Sequence, residues 1–315
     1  MKLLFISPRY SGGIGGHATM LAEKLREHGF DVRLMHVPHI HIKNLKNPSF
    51  AFSSTLKALI DRDSYDIVHA FNVPAAFAMR YVRAKKKVLS VHGVYSDQVG
   101  ILHSSTLSTM VNTAEPHILQ WADKLTTDSK TTQRVYKARF GLEFELLPSA
   151  IDTSKFKDIV EVYKAENQVA YIGRDSFEKG IDIIKKIEPR IKGKVVYCTD
   201  LSWKEAMTIL KASALLVVPS RMDSLPTVIK EAHYLRVPVV ATNVGDIPEL
   251  ITNDVSGILV PPDDADKLVD AINLLLTNKE YAKKLADRGH EYVINNMTWD
   301  IVLKKYIQFY EKLVD

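Results

Sequence analysis

The sequence has very little cysteine and no long apolar run. Cys198 is the only cysteine among 315 residues, which excludes an internal disulfide bond and a metal site built from cysteines. A single cysteine fits a reducing compartment, and we expect a cytoplasmic protein. Apolar runs such as Ala214–Val218 fall far short of the ~18 residues that cross a bilayer. The run Leu3–Ile6 is too short for the core of a signal peptide.

The composition also excludes disordered and fibrous classes. Apolar residues make up 46% and charged residues 25% of the chain, close to the average for globular proteins. At roughly 150 residues per domain, the length predicts two domains of similar size.

The charge is unevenly distributed. Residues 1–150 carry 19 Lys/Arg against 12 Asp/Glu, a net charge of +7, whereas residues 151–315 carry 23 against 25, a net charge of −2. The excess favours an anionic partner for the first half, although a well-solvated basic surface explains it equally well. We expect no nucleic-acid partner.

Short β-branched strands alternate with helical segments in both halves. The predicted strands are Lys2–Ile6, Asp31–His36, Asp66–Ala70, Val88–Val91, Lys124–Thr127, Phe144–Leu147, Val169–Ile172, Lys194–Cys198, Leu215–Val218, Val237–Ala241 and Gly257–Val260. The predicted helices include Ala18–His28, Ala75–Ala84, Thr131–Arg139, Ile181–Ile187, Trp203–Ala212, Pro226–Leu235 and Ala265–Leu276. This alternation predicts an α/β fold with two parallel sheets, each covered by helices on both faces.

The same pattern sets the domain boundaries. We expect a first domain over residues 1–150, a second over 151–295, and a helical tail over 296–315 that crosses back to the first domain. The polar stretch Asp152–Asn167 is predicted to be the linker. In such sheets ligands bind outside the carboxyl ends of the strands, so the residues that follow strands are the functional candidates.

A glycine-rich segment follows the first strand. Gly12 and Gly13 open it, and Gly13-x-Gly15-x-x-Ala18 matches a dinucleotide fingerprint formally. A nicotinamide enzyme is disfavoured, because the glycines come late after the strand and the second strand ends without an acidic residue. A flexible connector is the plain alternative. We favour a loop whose backbone N–H groups approach a phosphate or sugar at a helix N-terminus.

Two more candidates also follow strands. His92 lies after the fourth strand, where a structural and a functional role are equally compatible with its position. Gly173 and Arg174 end the first strand of the second domain, and Lys179 follows. The planar guanidinium and the ammonium suit a diphosphate clamp, with two solvated surface cations as the alternative.

The segment 219–232 carries the strongest signal. Pro226 suits the first turn of a helix, and the free N–H groups around Leu225, Pro226 and Thr227 favour an anion. Asp223 lies just before this helix. Glu231 lies one turn after Thr227 on the same face, where it could accept hydrogen bonds from a ribose diol. The alternative for Glu231 is an exposed helix glutamate.

Taken together, these motifs resemble glycosyltransferase family 4. The resemblance rests on Gly12-Gly13, His92-Gly93, Gly173-Arg174 with Lys179-Gly180, Asp223-x7-Glu231, the run 237–242, Gly245 with Glu249, and Gly257 with Val260-Pro261. It covers almost the whole chain in the right order.

The resemblance implies a GT-B architecture of two Rossmann-like domains with the active site between them. It also implies a nucleotide-diphosphate sugar as co-substrate, transfer with retention, and neither a metal nor another cofactor. Arg174, Lys179 and the helix N-terminus would bind the diphosphate, Asp223 the sugar hydroxyls, and His92 would lie beside the anomeric carbon.

The sequence departs from the family pattern at several positions. Asp223 replaces a glutamate, Ser224 and Pro226 replace glycines, and Asp246 replaces the second glycine of a pair. The stretch Val195–Trp203 is shorter than in the family, where this part of the chain helps to hold the nucleotide base. The identity of the base in the donor is therefore undetermined.

Three further clusters have competing interpretations. Asp61-Arg62-Asp63 copies a metal-binding Asp-x-Asp motif but precedes a strand, away from the predicted cleft. Lys85–Lys87 also precedes a strand, and we expect a solvated patch or a weak membrane contact. The stretch Pro38–Phe52 follows the second strand; His39 and His41 could bind zinc, but an acceptor-binding loop containing Lys43 and Lys46 is favoured.

The sequence therefore predicts a retaining, metal-independent glycosyltransferase that acts on a glycan or lipid-linked acceptor, with a peripheral contact to the inner membrane surface as a further expectation. A nucleotide-sugar 2-epimerase on the same fold and a catalytically silent nucleotide-sugar-binding protein are the alternatives.

Overall fold

The computed structural model describes residues 1–8, 13–37, 46–95, 113–160 and 162–314. These residues form two compact units, one of Met1–Ser149 with Val302–Asp315 and one of Ala150–Ile301. The tail 296–315 is thus divided between them. No described helix is both long and apolar enough to span a bilayer.

The first unit contains a parallel sheet in the order β2-β1-β3-β4-β5-β6. Its strands are β1 (Lys2–Pro8), β2 (Asp31–Val37), β3 (Ser64–Phe71), β4 (Arg83–Ser90), β5 (Lys124–Thr127) and β6 (Phe144–Leu146). Its helices are α1 (Gly13–Glu27), α2 (Lys46–Ile60), α3 (Ala76–Tyr81), α4 (residues 113–119), α5 (Lys130–Phe140) and most of α12 (Trp299–Val314).

The second unit contains a parallel sheet in the order β11-β10-β9-β7-β8. Its strands are β7 (Ala165–Ile172), β8 (Lys194–Cys198), β9 (Ser213–Val218), β10 (Val239–Thr242) and β11 (Ile258–Val260). Its helices are α6 (Ile181–Ile187), α7 (Trp203–Ala212), α8 (Thr227–Tyr234), α9 (Ile247–Leu250), α10 (Ala265–Thr277) and α11 (Lys279–Asn296). The predicted α/β class with two parallel sheets is confirmed.

Both faces of β1, an interior strand of its sheet, are buried, as its continuous apolar sequence predicts. Leu4 and Ile6 pack into a cluster with Phe50 of α2. On the other face, Phe5 contacts the ring of Tyr310 in α12, with ring centroids 6.2 Å apart. Helix α12 therefore completes one layer of the first unit.

Sequence-based assignments were wrong by the largest margin in four places. Helix α1 begins at Gly13 rather than Ala18, because the glycines form its first turn. The predicted linker contains a 3₁₀ helix at Thr153–Asp158 that buries Phe156, and β7 begins at Ala165. Lys85–Lys87 lie within β4 rather than before it.

The fourth correction concerns the predicted loop Pro38–Phe52. Residues 46–52 form the first turns of α2, in which Phe50 is buried while Phe52 is exposed. Residues 38–45 lie outside the described part of the chain.

Candidate active site

The topology of the second unit brings two functional loops together. Strand β7 lies between β8 and β9, so the chain leaves β7 toward one side of the sheet and leaves β9 toward the other. Such a switch point opens a crevice at the carboxyl ends of the two strands. The loop after β7 carries Gly173, Arg174 and Lys179, and the loop after β9 carries Asp223.

Two glycines allow close backbone contacts around these loops. Gly180 has φ +70°, and a Cβ atom there would lie 2.0 Å from the carbonyl oxygen of Pro219. Gly245 has φ +53°, and a Cβ atom there would lie 1.8 Å from the carbonyl oxygen of Asp223. Both positions therefore require glycine for the observed approach.

Lys179 and Asp223 form a close ion pair. Lys179 Nζ lies 2.6 Å from Asp223 Oδ2, and Ser220 Oγ donates to the same oxygen at 3.1 Å. The Lys179 side chain is only 23% exposed, so Lys179 is not a freely solvated surface cation. The Lys179 ammonium is thus held by the carboxylate of Asp223, which follows β9. Among the described residues, the other carboxylate oxygen, Asp223 Oδ1, makes no hydrogen bond.

Arg174 is in a different environment. Its side chain is exposed, and Nη2 lies 3.2 Å from Glu178 Oε1. Because the arginine is largely exposed to solvent, this pair contributes little to stability. Gly173 directly follows β7, and its amide donates to the carbonyl of Cys198 at 3.3 Å. Because its ion pair is weak, the Arg174 guanidinium can turn toward an anion at small energetic cost.

Arg221 was assigned no role from the sequence, yet it fixes the turn that carries Lys179. Its guanidinium pairs with both carboxylate oxygens of Asp182 at 2.7 and 2.8 Å, and its Nε donates to Asp263 at 2.8 Å. It also donates to the carbonyl of Phe177 at 2.8 Å and lies 3.9 Å from the centroid of that ring. The Arg221 hydrogen bond lowers the pKa of Asp182.

The N-terminus of α8 has no side-chain cap. Pro226 occupies the N-cap position, and no side chain accepts a hydrogen bond from the first turn among the described residues. Leu225 is half-buried against the core, whereas Thr227 is exposed. The amides of this turn are therefore suited to an anion.

Glu231 lies one turn further along α8 and is not the exposed helix glutamate of the alternative. Trp203 Nε1 donates to Glu231 Oε1 at 2.7 Å. Burial raises the pKa of the Glu231 carboxyl, and the Trp203 hydrogen bond opposes this rise. The Trp203 ring packs on Phe156, with centroids 5.0 Å apart. Sequence reasoning placed Trp203 at a helix start but missed its hydrogen bond to Glu231, which joins residues 28 positions apart.

In the first unit, His92 pairs with a residue that the sequence analysis missed. His92 Nδ1 lies 3.0 Å from Asp128 Oδ1, and both side chains are mostly buried. Asp128 directly follows β5, so the rule on carboxyl ends of strands could have found it. The rings of His92 and His17 lie 6.3 Å apart.

The remaining candidates are only partly described. Gly12 and Lys43 lie outside the described residues, as do His39 and His41. Gly13 begins α1 and Lys46 begins α2. Asp61 and Asp63 contact Arg33 at 3.4 and 2.9 Å, so this acidic pair holds an arginine. Within the described ranges, no group of three or more His, Cys, Asp or Glu side chains has an arrangement that could hold a metal ion.

Comparison with known proteins gives two family matches. Residues 11–155 match the family described as Glycosyltransferase Family 4, and residues 188–292 match the family described as Glycosyl transferases group 1. An uncharacterized glycosyltransferase of Methanocaldococcus jannaschii is 20% identical over an alignment of 382 residues that covers 99% of this chain and 98% of the relative.

Solved structures share the fold over nearly the whole chain. The sucrose-phosphate synthase of Thermosynechococcus elongatus has a TM-score of 0.79 at 18% identity, covering 99% of this chain and 98% of that chain. HepE of Anabaena, solved in complex with UDP-glucose, has a TM-score of 0.74 at 15% identity, covering 99% of this chain and 100% of that chain. At these identities the likeness is one of fold.

Proposed function

We propose that this chain, a GT-B glycosyltransferase of the family 4 type, transfers a hexosyl group from a nucleotide-diphosphate sugar to a hydroxyl acceptor with retention and without a metal. The observation that carries the proposal is the ion pair, 2.6 Å long, between Lys179 after β7 and Asp223 in the loop that leads to the uncapped N-terminus of α8. This arrangement offers a cation, a set of backbone amides and a carboxylate to a single ligand.

The diphosphate is the part of the donor that suits the cations. Lys179, Arg174 and the amides near Thr227 would bind its oxygens and stabilise the negative charge that develops as it leaves. Gly173 would allow the backbone to approach it closely. Arg221, by fixing the turn that carries Lys179, would keep this site organised before the donor binds.

The two carboxylates suit the hydroxyl groups of the donor. Glu231 would accept hydrogen bonds from the ribose diol, with Trp203 holding one of its oxygens in place. Asp223 would bind hydroxyls of the transferred sugar through Oδ1. The shorter side chain of Asp223, where the family has glutamate, would place this oxygen nearer to the backbone.

The chemical step would break the bond between the anomeric carbon and the phosphate oxygen, with its electron pair staying on the phosphate. The acceptor oxygen would bond to the anomeric carbon on the same face, and its proton would pass to a leaving-phosphate oxygen. His92, oriented by Asp128, would lie beside the anomeric carbon. The Gly12-Gly13 segment would contribute backbone amides.

The acceptor is proposed to be an anionic glycan or a lipid-linked molecule at the inner membrane surface. The net charge of +7 over residues 1–150 supports an anionic acceptor. Lys43 and Lys46 are the acceptor-binding candidates. HepE was solved with UDP-glucose, which supports a nucleotide-sugar donor, and the family matches favour transfer over the 2-epimerase alternative.

A panel of UDP-, GDP-, ADP- and CMP-sugars tests the donor proposal. The matching donor should raise Tm, because it binds only the folded protein, and Arg174→Ala should reduce this rise. Turnover with that donor should survive EDTA. Turnover that EDTA abolishes and Mg²⁺ restores would contradict the metal-independent mechanism. Donor conversion without any acceptor would favour the epimerase.

A further inference from the structure

Helix α2 exposes a row of large apolar side chains. Phe52, Leu56, Leu59 and Ile60 are 67%, 50%, 58% and 78% exposed. At 100° per residue, these four positions fall within an arc of about 100° on one side of the helix. The row is therefore a continuous apolar face.

This face is additional to the one that packs on the sheet. Phe50, Ser54 and Ala58 lie on the opposite side of α2 and are buried. A surface helix of a globular protein normally presents polar residues outward. The outward face of α2 therefore needs an explanation other than folding, and such faces commonly mark interaction sites.

Helix α3 packs against α2 and also exposes aromatic side chains. Phe77 and Tyr81 are one turn apart in α3, and both are exposed. The ring of Phe77 also contacts that of Trp121, with centroids 5.3 Å apart. The Tyr81 side chain, an apolar ring with a polar hydroxyl, suits the boundary between lipid and water.

Cations lie near the C-terminal end of the same helix. Arg62 lies two residues after the end of α2, between Asp61 and Asp63, and is exposed. The exposed Arg83 is in register with Ser64, which begins β3 two residues after Arg62. Neither arginine forms an ion pair among the described residues, whereas the neighbouring Lys85 is paired with Asp66 at 2.7 Å. Asp61 and Asp63 contact Arg33, and Asp63 also contacts Lys2, so Arg62 and Arg83 leave a net positive charge next to the apolar face.

We propose that the outward face of α2 docks the protein on an anionic lipid bilayer. The apolar face enters the boundary between head groups and acyl chains, and anionic head groups contact Arg62 and Arg83. The side chains that enter are those of Phe52, Leu56, Leu59 and Ile60. A second copy of the chain fits this face less well than a bilayer. In a two-fold symmetric dimer the same face of each copy would meet, which would bring the arginines of the two copies together. The inference does not depend on transferase activity.

Vesicle flotation tests the proposal directly. The wild-type protein should float with vesicles of phosphatidylglycerol mixed with phosphatidylcholine, and weakly with phosphatidylcholine alone. Leu56→Ser/Ile60→Ser should lower the partition coefficient by about tenfold or more, because two apolar side chains no longer enter the lipid. The matched control is Leu274→Ser, at a leucine of α10 that is 44% exposed and should leave flotation unchanged.

A charge variant separates the electrostatic contribution. Arg62→Glu/Arg83→Glu should lower binding to the phosphatidylglycerol vesicles by about tenfold or more and abolish its salt dependence. Far-UV circular dichroism and Tm establish that each variant is folded.

Three results would overturn the proposal. The first is a wild-type protein that fails to float with anionic vesicles. The second is a serine variant that floats as well as the wild type. The third is a wild-type dimer in sedimentation velocity that the serine variant converts to monomer with vesicle binding intact, which would make the face a contact between two copies.

Discussion

The crevice of the second unit and the core of the first unit hold their polar groups by different means. In the second unit, Lys179 pairs with Asp223 at 2.6 Å, and Arg221 pairs with Asp182 at 2.7 Å. In the first unit, His69 Nδ1 lies 2.7 Å from the hydroxyl of Tyr310, and its Nε2 lies 2.7 Å from Ser90 Oγ.

Burial explains the contrast. His69 is completely buried, which lowers its pKa well below the ordinary histidine value and keeps the ring neutral. Burial also raises the pKa of Tyr310 well above its ordinary value. Neutral partners suit a core without water, because burying a charge there is costly. The crevice of the second unit is partly solvated, so it tolerates charged groups, and a ligand can bind to them. The second unit is thus organised for binding an ion, and this part of the first unit for packing.

The largest effect is expected from removing the charge in the crevice. Lys179→Ala should lower turnover by about 10²-fold or more, because the lost contact strengthens as the phosphate leaves. It should also lower the free energy of unfolding by about 1–3 kcal/mol, because the mostly buried Asp223 loses its cation. Steady-state kinetics and urea unfolding measure the two effects.

The control for this variant is Lys185→Ala. Lys185 pairs with Asp175 at 3.2 Å, and both side chains are exposed, so turnover should change by less than about twofold. Near-normal turnover of Lys179→Ala would remove Lys179 from the diphosphate site.

A smaller kinetic effect is expected at the ribose site. Trp203→Phe keeps the aromatic contact with Phe156 but removes the hydrogen bond to Glu231. We expect the donor KM to rise about five- to tenfold with little change in kcat, because the carboxylate loses its orientation before the donor binds. If Glu231→Gln raised KM and Trp203→Phe did not, Trp203 would have no orienting role.

The comparable change in the first unit should act on stability alone. Tyr310→Phe leaves one nitrogen of the buried His69 without its partner, which should lower the free energy of unfolding by about 1–3 kcal/mol. Because the groups are neutral, this loss should not depend on salt concentration. Urea unfolding at low and high salt measures it. A loss that shrinks strongly with salt would show that His69 carries charge.

The smallest effect is a pH dependence at Glu231. Since its pKa is raised in the fold, the folded protein retains this proton at pH values where the unfolded chain has released it. The free energy of unfolding therefore falls as pH rises from the ordinary glutamate pKa through the raised value. Glu231→Gln should remove this contribution, so the variant should gain stability relative to the wild type across that window in urea titrations. The opposite trend would mean that the fold favours the ionised carboxylate.

The sequence predicted elements better than contacts. Periodicity located Ile181–Ile187 and Trp203–Ala212 with their observed bounds, because each has a regular apolar face between clear breakers. It missed the start of α1, since glycine disfavours helix and tertiary packing overrides that propensity.

The candidate site could be predicted only by position. The rule that ligands bind after strands located the loops containing Lys179 and Asp223. It could not supply the pairing of Trp203 with Glu231 or of His92 with Asp128. Those pairs join residues far apart in the chain, so their contact depends on the order of the strands in each sheet, which local patterns do not specify.

The path of the chain has a consequence for its synthesis. Helix α12 covers Phe5 and His69 of the first unit through Tyr310, yet its residues are translated after the whole of Ala150–Ile301. At ~5–20 residues per second, a nascent first unit waits roughly ten seconds or more for this helix. During that time its apolar surface is available to chaperones at the ribosome. The unit that is synthesised first therefore finishes folding last.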